Sequence, residues 1–293
     1  MEKVFYNKYG YYELKSKPDS TELEKYYAEK YYQKSMATYK KQYNEEEIKF
    51  IKNRLSRKQY ICDLMLPKIK KNFLDIGCGE GWALNYFYNT GWEVIGLDYS
   101  DNGCKRHNPD MLPYFVKGDI HRNLKKLIDE RSKYQIILMD NVLEHVLDPE
   151  KLLTDLRLIA NKETVLIIEV PNDFSDLQKH LLENGNIDEQ FWVVSPDHIS
   201  YFNKDGLNNL MNASGWKVKY LSTDYPIDIN LLNPDTNYNK DKSKGRNVHL
   251  ARVKMENFLS NKESHKVMQL YESLADLGLG RNIIGYYKIH EDE

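Results

Sequence analysis

The residues of this chain best suited to chemistry begin with a run of glycines and an acid set at a fixed distance from it. Phe73-Leu74-Asp75-Ile76-Gly77-Cys78-Gly79-Glu80-Gly81 is followed by Val94-Ile95-Gly96-Leu97-Asp98. The pattern reads as a buried strand, a glycine turn into a helix, and a second strand that delivers a carboxylate beside the turn. Such a unit grips a nucleoside, and the spacing from Gly77 to Asp98 is the roughly 20 residues of one strand-helix-strand repeat. A dinucleotide turn requires G-x-G-x-x-G, because pyrophosphate rests on bare backbone at the helix N-terminus. Here the third glycine falls one residue early, at Gly81, and Trp82 fills the required position. The indole argues for an adenosine-containing ligand other than a dinucleotide.

The order Asp75-x-Gly77-x-Gly79-x-Gly81 resembles the first motif of class I S-adenosylmethionine-dependent methyltransferases. The resemblance implies that the turn, with Cys78 and Trp82, lies against the methionine part of the cofactor and that Asp98, next to Tyr99, takes the ribose hydroxyls. Beyond a third strand near Tyr114-Phe115-Val116, Lys117-Gly118-Asp119-Ile120 matches the place where the family sets an acid and the following amide against adenine. A fourth strand, Tyr134 to Asp140, runs into Asn141-Val142-Leu143-Glu144-His145-Val146-Leu147-Asp148-Pro149, close to the "VLEH…DP" segment of one branch. Asp140 and Asn141 then belong to the cofactor's surroundings, with Asp140 serving its amino group or only ending the strand. S-adenosylmethionine is the implied cofactor and S-adenosylhomocysteine the product.

Methyl transfer from a sulfonium is an in-line displacement, so the protein must align the reactants and remove a proton when the acceptor is a hydroxyl. No metal is required by this chemistry, and the expected signature is a base. Histidine suits that work near neutral pH. His198 is the first candidate, because Pro196-Asp197-His198-Ile199-Ser200-Tyr201-Phe202 resembles the "H-x-x-x-F" segment of sugar-modifying members. His145 is the second, whether by shaping the site or by assisting proton transfer. Glu169, Asn172 and Asp173 close the fifth strand, a site position by topology, and Tyr201 accompanies His198. Tyr238, His249, Arg252 and Arg281 supply polar and cationic groups further on, and guanidinium groups would suit an anionic, nucleotide- or phosphate-linked acceptor.

These elements need a scaffold, and the alternation of strands and helices to about Val170 predicts an α/β fold with a doubly wound, mostly parallel sheet. Seven strands are expected, the last of them antiparallel over Gly280 to Tyr287, which gives a Rossmann-like class I methyltransferase. Residues 1–66 read as an N-terminal helical cap and 67–293 as the methyltransferase domain, with acceptor-side excursions over about 171–203 and 224–248. Within the cap, tyrosine pairs from Tyr26 onward suggest an amphipathic helix. Tyr31, Tyr39 and Tyr43 are candidates to cover the cofactor or acceptor mouth, Tyr31 on the cofactor side. A second helix is expected from Glu45 to Leu66, and another from about His249 to Leu277.

Composition sets bounds. A formal charge of −2 gives no general attraction to nucleic acid, and a mean hydropathy of −0.70 with no run of ~20 apolar residues excludes membrane insertion. Three cysteines without metal-ligand spacing suit a reduced cytoplasm. Together with Glu169-Val170-Pro171-Asn172-Asp173 and the Gly278-Leu279-Gly280-Arg281 ending, the chain resembles methyltransferases of bacterial capsule and lipopolysaccharide biosynthesis. That resemblance implies O-methylation of a small polar sugar or capsule building block. Nitrogen or carbon methylation, a phosphoramidate-type precursor, and a non-catalytic cofactor-binding partner subunit are the alternatives.

Overall fold

The computed structural model describes residues 3–19, 22–23, 42–66 and 71–290. Tyr31, Tyr39 and the tyrosine pairs from Tyr26 lie outside the described residues.

The chain opens with β1 (Val4–Tyr6) and β2 (Tyr12–Leu14), paired antiparallel. The segment expected to be helical thus begins as a hairpin. The reason is local: the Asn7 side chain accepts the backbone N–H groups of Tyr9, Gly10 and Tyr11, and Gly10 takes φ +92, so the chain reverses before a helix can start. Helix α1 (Glu45–Met65) follows, started by a reciprocal capping box between Asn44 and Glu47.

The sheet is then laid down as β3 (Asn72–Ile76), α2 (Trp82–Asn89), β4 (Glu93–Asp98), α3 (Asn102–His107), β5 (Phe115–Lys117), α4 (Ile120–Asp129), β6 (Ile136–Asp140), α5 (Pro149–Leu156) and β7 (Val165–Pro171). The acceptor-side excursion carries α6 (Asp176–Glu183) and β8 (Ser200–Tyr201). After it come α7 (Lys204–Ala213), β9 (Trp216–Thr223), α8 (Gly245–Leu259), α9 (Ser264–Asp276) and β10 (Asn282–Ile289). The single helix expected from His249 to Leu277 is two, interrupted at the polar run Ser260-Asn261-Lys262-Glu263, which lets α8 pack on α1 while α9 turns onto β9. The stretch expected to be loop after Asp224 contains short 3-10 turns at Ile227–Leu232 and Lys242–Lys244.

Seven strands form one sheet in the order β5-β4-β3-β6-β7-β10-β9, parallel except for β10. The fold is the Rossmann-like class I methyltransferase fold. Strands buried on both faces read as continuous apolar runs, and alternate residues feed opposite layers. Leu74, Ile76, Ile137, Met139, Leu166 and Ile168 pack with α4, α5 and α7, while Phe73, Ile136, Leu138, Val165 and Ile167 pack with α1 and α2. A third cluster, built from Val4, Leu14, Phe174, Leu181, Trp192 and Tyr201, joins the first hairpin to the excursion after β7. β2 pairs with β8, so the N-terminal hairpin and the excursion share a small sheet.

Candidate active site

The order of strands reverses between β3 and β6, which opens a crevice at their carboxyl ends. The glycine turn sits there. Gly77 has φ +74 and a Cβ on it would lie 2.3 Å from Val142 Cγ2, so only glycine fits. Gly79 and Gly81 also take positive φ, and Gly81 stands directly before α2. The turn is held to β4 by Gly77 and Cys78 N–H groups donating to the Leu97 carbonyl. Asp98 then closes it: its carboxylate accepts the Gly79 N–H at 2.8 Å and the Ser100 N–H at 2.9 Å. The carboxylate stands beside the turn, at the place the sequence assigns to the ribose diol. The cradle of bare backbone with a carboxylate on its rim fits the cofactor implied by the sequence.

Other expected cofactor residues gather around it. Asp119 caps α4 through the Arg122 N–H and accepts the Tyr99 hydroxyl at 2.5 Å, with Ile120 opening the helix. Asp140 ends β6, followed by Asn141 at φ +55, whose amide donates to Asp140 at 2.7 Å. Asp75 lies within β3, where burial and the neighbouring Asp140 and Asp98 push its carboxyl well above the usual range. Trp82 Nε1 donates to Glu80 at 2.8 Å, as does the Tyr43 hydroxyl, and the Tyr43 ring stands edge-on to Trp82. Tyr43 thus reaches the turn from the N-terminal segment. Cys78 packs beneath Gly96.

At the other side of the crevice the two histidines meet, with ring centroids 4.9 Å apart. His145 Nδ1 lies 2.7 Å from the Asp197 carbonyl; a carbonyl only accepts, so this nitrogen carries the proton. His198 is bound to the same wall by its own carbonyl, which accepts the Tyr201 hydroxyl at 2.9 Å. Burial lowers the basicity of both rings, and His198 falls to about 3 with His145 and Arg281 adding to the effect. Arg281 pairs with Asp173 at 3.1 Å, and burial lifts the Asp173 carboxyl to about 6 despite that guanidinium.

Several acceptor-side candidates are otherwise engaged. Glu169 has no exposed surface, and Arg54, Lys58 and Asn282 all donate to its carboxylate; Lys58 bridges onward to Asp140 at 2.8 Å. Asn172 donates to the Gly278 and Gly280 carbonyls. Arg252 pairs with buried Asp224 at 2.7 Å, His249 and Arg246 face Glu47 on α1, and Tyr238 donates to Asp228. The guanidinium groups expected to grip an anion are therefore committed to carboxylates of the fold. Lys58, Arg54 and Glu144 were not singled out from the sequence. An acid beside a histidine was the only available signal for Glu144, and the two cations lie on a helix whose facing strand is distant in sequence.

A profile of the methyltransferase domain matches residues 39–221, more than half the chain. The chain belongs to the class I S-adenosylmethionine-dependent methyltransferases. This methyltransferase is 24% identical over 150 residues, 51% of its length and 53% of the relative's, to a probable S-adenosylmethionine-dependent methyltransferase of Mycolicibacterium smegmatis. It is 36% identical over 101 residues to the mitochondrial ubiquinone biosynthesis O-methyltransferase of Arabidopsis thaliana, covering 32% of this chain and 31% of that one. The methyltransferase therefore spans about half the length of the first curated relative and under a third of the second. Among solved structures it is similar to a SAM-dependent methyltransferase from Archaeoglobus fulgidus, with a TM-score of 0.49, 18% identity, and coverage of 80% of this chain and 94% of that one. No helix among the described residues is long and apolar enough to cross a membrane.

Proposed function

We propose that this methyltransferase transfers the methyl group of S-adenosylmethionine to an oxygen of a small, hydroxyl-rich acceptor of the sugar class, such as a building block of a bacterial surface glycan. The observation that carries the reading is the meeting of His145 and His198 across the crevice from the Asp75–Gly81 turn. When bound, the cofactor supplies an electrophilic methyl group on a cationic sulfur. The protein's residues do the remainder. Asp98 and the turn hold the donor, and the excursion after β7 presents the acceptor from the opposite side, so alignment supplies most of the rate. His145, His198 and Glu144 are the groups positioned to receive or displace the hydroxyl proton.

Nothing in the pairing of Arg252 and Arg281 favours an anionic acceptor, since each faces a buried carboxylate. The formal charge of −2 speaks against nucleic acid. Three buried free cysteines suit a cytoplasmic setting. On this reading residues 1–66 act as a cap on the 67–293 methyltransferase domain. The test is donor consumption by the purified chain against a panel of neutral sugars, nucleotide sugars and phosphorylated fragments, with the methylated atom located by mass spectrometry. His198→Ala should keep donor affinity and lose turnover. Bound donor with no turnover on any acceptor would favour a non-catalytic partner subunit, and a methyl group found on nitrogen or carbon would overturn the O-transfer reading.

A further inference from the structure

Glu144 is 1% exposed, and neither of its carboxylate oxygens has a hydrogen-bond partner. Leaving a buried carboxylate unsatisfied costs several kcal/mol. Its nearest neighbour sharpens the problem. His145 Nε2 stands 3.7 Å from Glu144 Oε1, yet Nδ1 of that ring is the protonated nitrogen, because it donates to the Asp197 carbonyl. A lone pair therefore faces a carboxylate oxygen. His198 brings a third unsatisfied atom, a buried Nδ1 without a partner. Three further carboxyl groups, Asp140, Asp173 and Asp197, act on Glu144, and the Arg281 guanidinium acts on His198. Both Glu144 oxygens and His198 Nδ1 are thus buried without a hydrogen-bond partner.

We propose that Glu144, His145 and His198 bind a divalent transition-metal ion of the zinc class. One ligand atom from each lies within 4.8 Å of the other two. Two imidazoles and one carboxylate form a recognised set for an ion with an open position, whereas magnesium and calcium prefer oxygen alone. The hydrogen bond from His145 Nδ1 to the Asp197 carbonyl is the outer contact that holds a ligating imidazole in the correct tautomer. Ligands about a tetrahedral zinc lie roughly 3.3 Å apart, given bonds near 2 Å, so binding draws the three side chains inward. His198 lies on the excursion after β7, and its movement would tighten that segment over the crevice.

The site rests on these side chains alone; its role rests on the proposed transfer. An acceptor hydroxyl at the open position is acidified by the ion, its proton leaves to water, and the oxygen takes the methyl carbon as the carbon–sulfur bond breaks. S-adenosylhomocysteine departs as a neutral thioether.

The test is titration of the untagged, chelator-dialysed chain with Co²⁺, followed by visible absorption, and displacement by Zn²⁺. One Co²⁺ per chain with intense d–d bands is expected. Glu144→Gln and His198→Asn should each weaken binding by roughly 100-fold, while thermal unfolding and calorimetric donor affinity remain near those of the parent. Absence of Co²⁺ binding at millimolar concentration overturns the site, as does undiminished binding in both variants. Methyl transfer that persists in a chain unable to bind Co²⁺ sinks the metal and leaves the transfer reading intact. Tight Co²⁺ binding in a chain inert toward every acceptor keeps the site and sinks the transfer reading.

Discussion

The carboxylate of Asp98 and the backbone N–H of Gly79 are joined by a hydrogen bond of 2.8 Å, which ties the end of one strand to the middle of the glycine turn. A single acid thus both shapes the cradle and stands on its rim. Asp98→Ala should lose donor affinity by roughly 100-fold or more, as expected when two charge-assisted hydrogen bonds are removed. Calorimetry checks this, and undiminished affinity would place the donor elsewhere.

Gly77→Ala tests the turn without touching a charge. The new methyl group meets Val142 Cγ2 at 2.3 Å on a backbone that already sits at φ +74. A stability loss of about 2–5 kcal/mol is expected from strain and overpacking, with donor affinity falling in parallel. A variant that melts with the parent and binds the donor equally would show that the turn is looser than this geometry.

Glu169→Gln should destabilise the protein by about 3–5 kcal/mol at neutral pH, because Arg54 and Lys58 lose the charge that balances them in the core. Denaturant unfolding measures the change. A neutral outcome would mean that water already screens this network.

The same carboxyl predicts an acid limit. Burial pushes Glu169 up, but the charges of Arg54 and Lys58 outweigh it and hold the group at about 2, below its ordinary 4.5. A depressed carboxyl stabilises the native state above pH 4.5 and loses that contribution as pH falls toward 2, where folded and unfolded chains are both protonated. The stability gap between the parent and Glu169→Gln should therefore be widest above pH 5 and narrow across that window. A gap independent of pH would assign the loss to packing.

Arg252→Met separates a structural arginine from a substrate-gripping one. With buried Asp224 left unpaired, stability should drop by about 3–5 kcal/mol while KM for the acceptor stays constant. A raised KM with unchanged melting would return this guanidinium to the acceptor.

The donor half of this molecule was readable because its chemistry is local. Positive φ demands glycine at Gly77, Gly79 and Gly81, and the acid at Asp98 follows one repeat later, so composition and spacing carry the geometry. The parallel strands were equally plain as apolar runs. The acceptor half depends on pairings across long separations. Arg54 and Glu169 lie 115 positions apart, and only the finished topology brings α1 against β7. The arginines near the C-terminus looked available because their carboxylates, Asp224 and Asp173, stand in other segments. The tyrosine helix expected from Tyr26 onward lies outside the described residues, and ahead of it the Asn7 turn sets Tyr6 and Tyr12 in paired strands. Glu144 was visible as a residue but not as an unsatisfied one.

The small sheet formed by β1, β2 and β8 makes residues 4–14 part of the wall that carries His198. Tyr12 pairs with Tyr201, the Leu14 N–H donates to the Ile199 carbonyl, and the Ile199 N–H donates to the Glu144 carbonyl. The hairpin, the excursion and the turn after β6 are thus three links of one backbone chain. Trimming this hairpin would act on the acceptor site as directly as a substitution there, although the glycine turn and Asp98 belong to a separate part of the frame. A chain shortened at its front would still hold its methyl donor while losing the wall against which an acceptor is pressed.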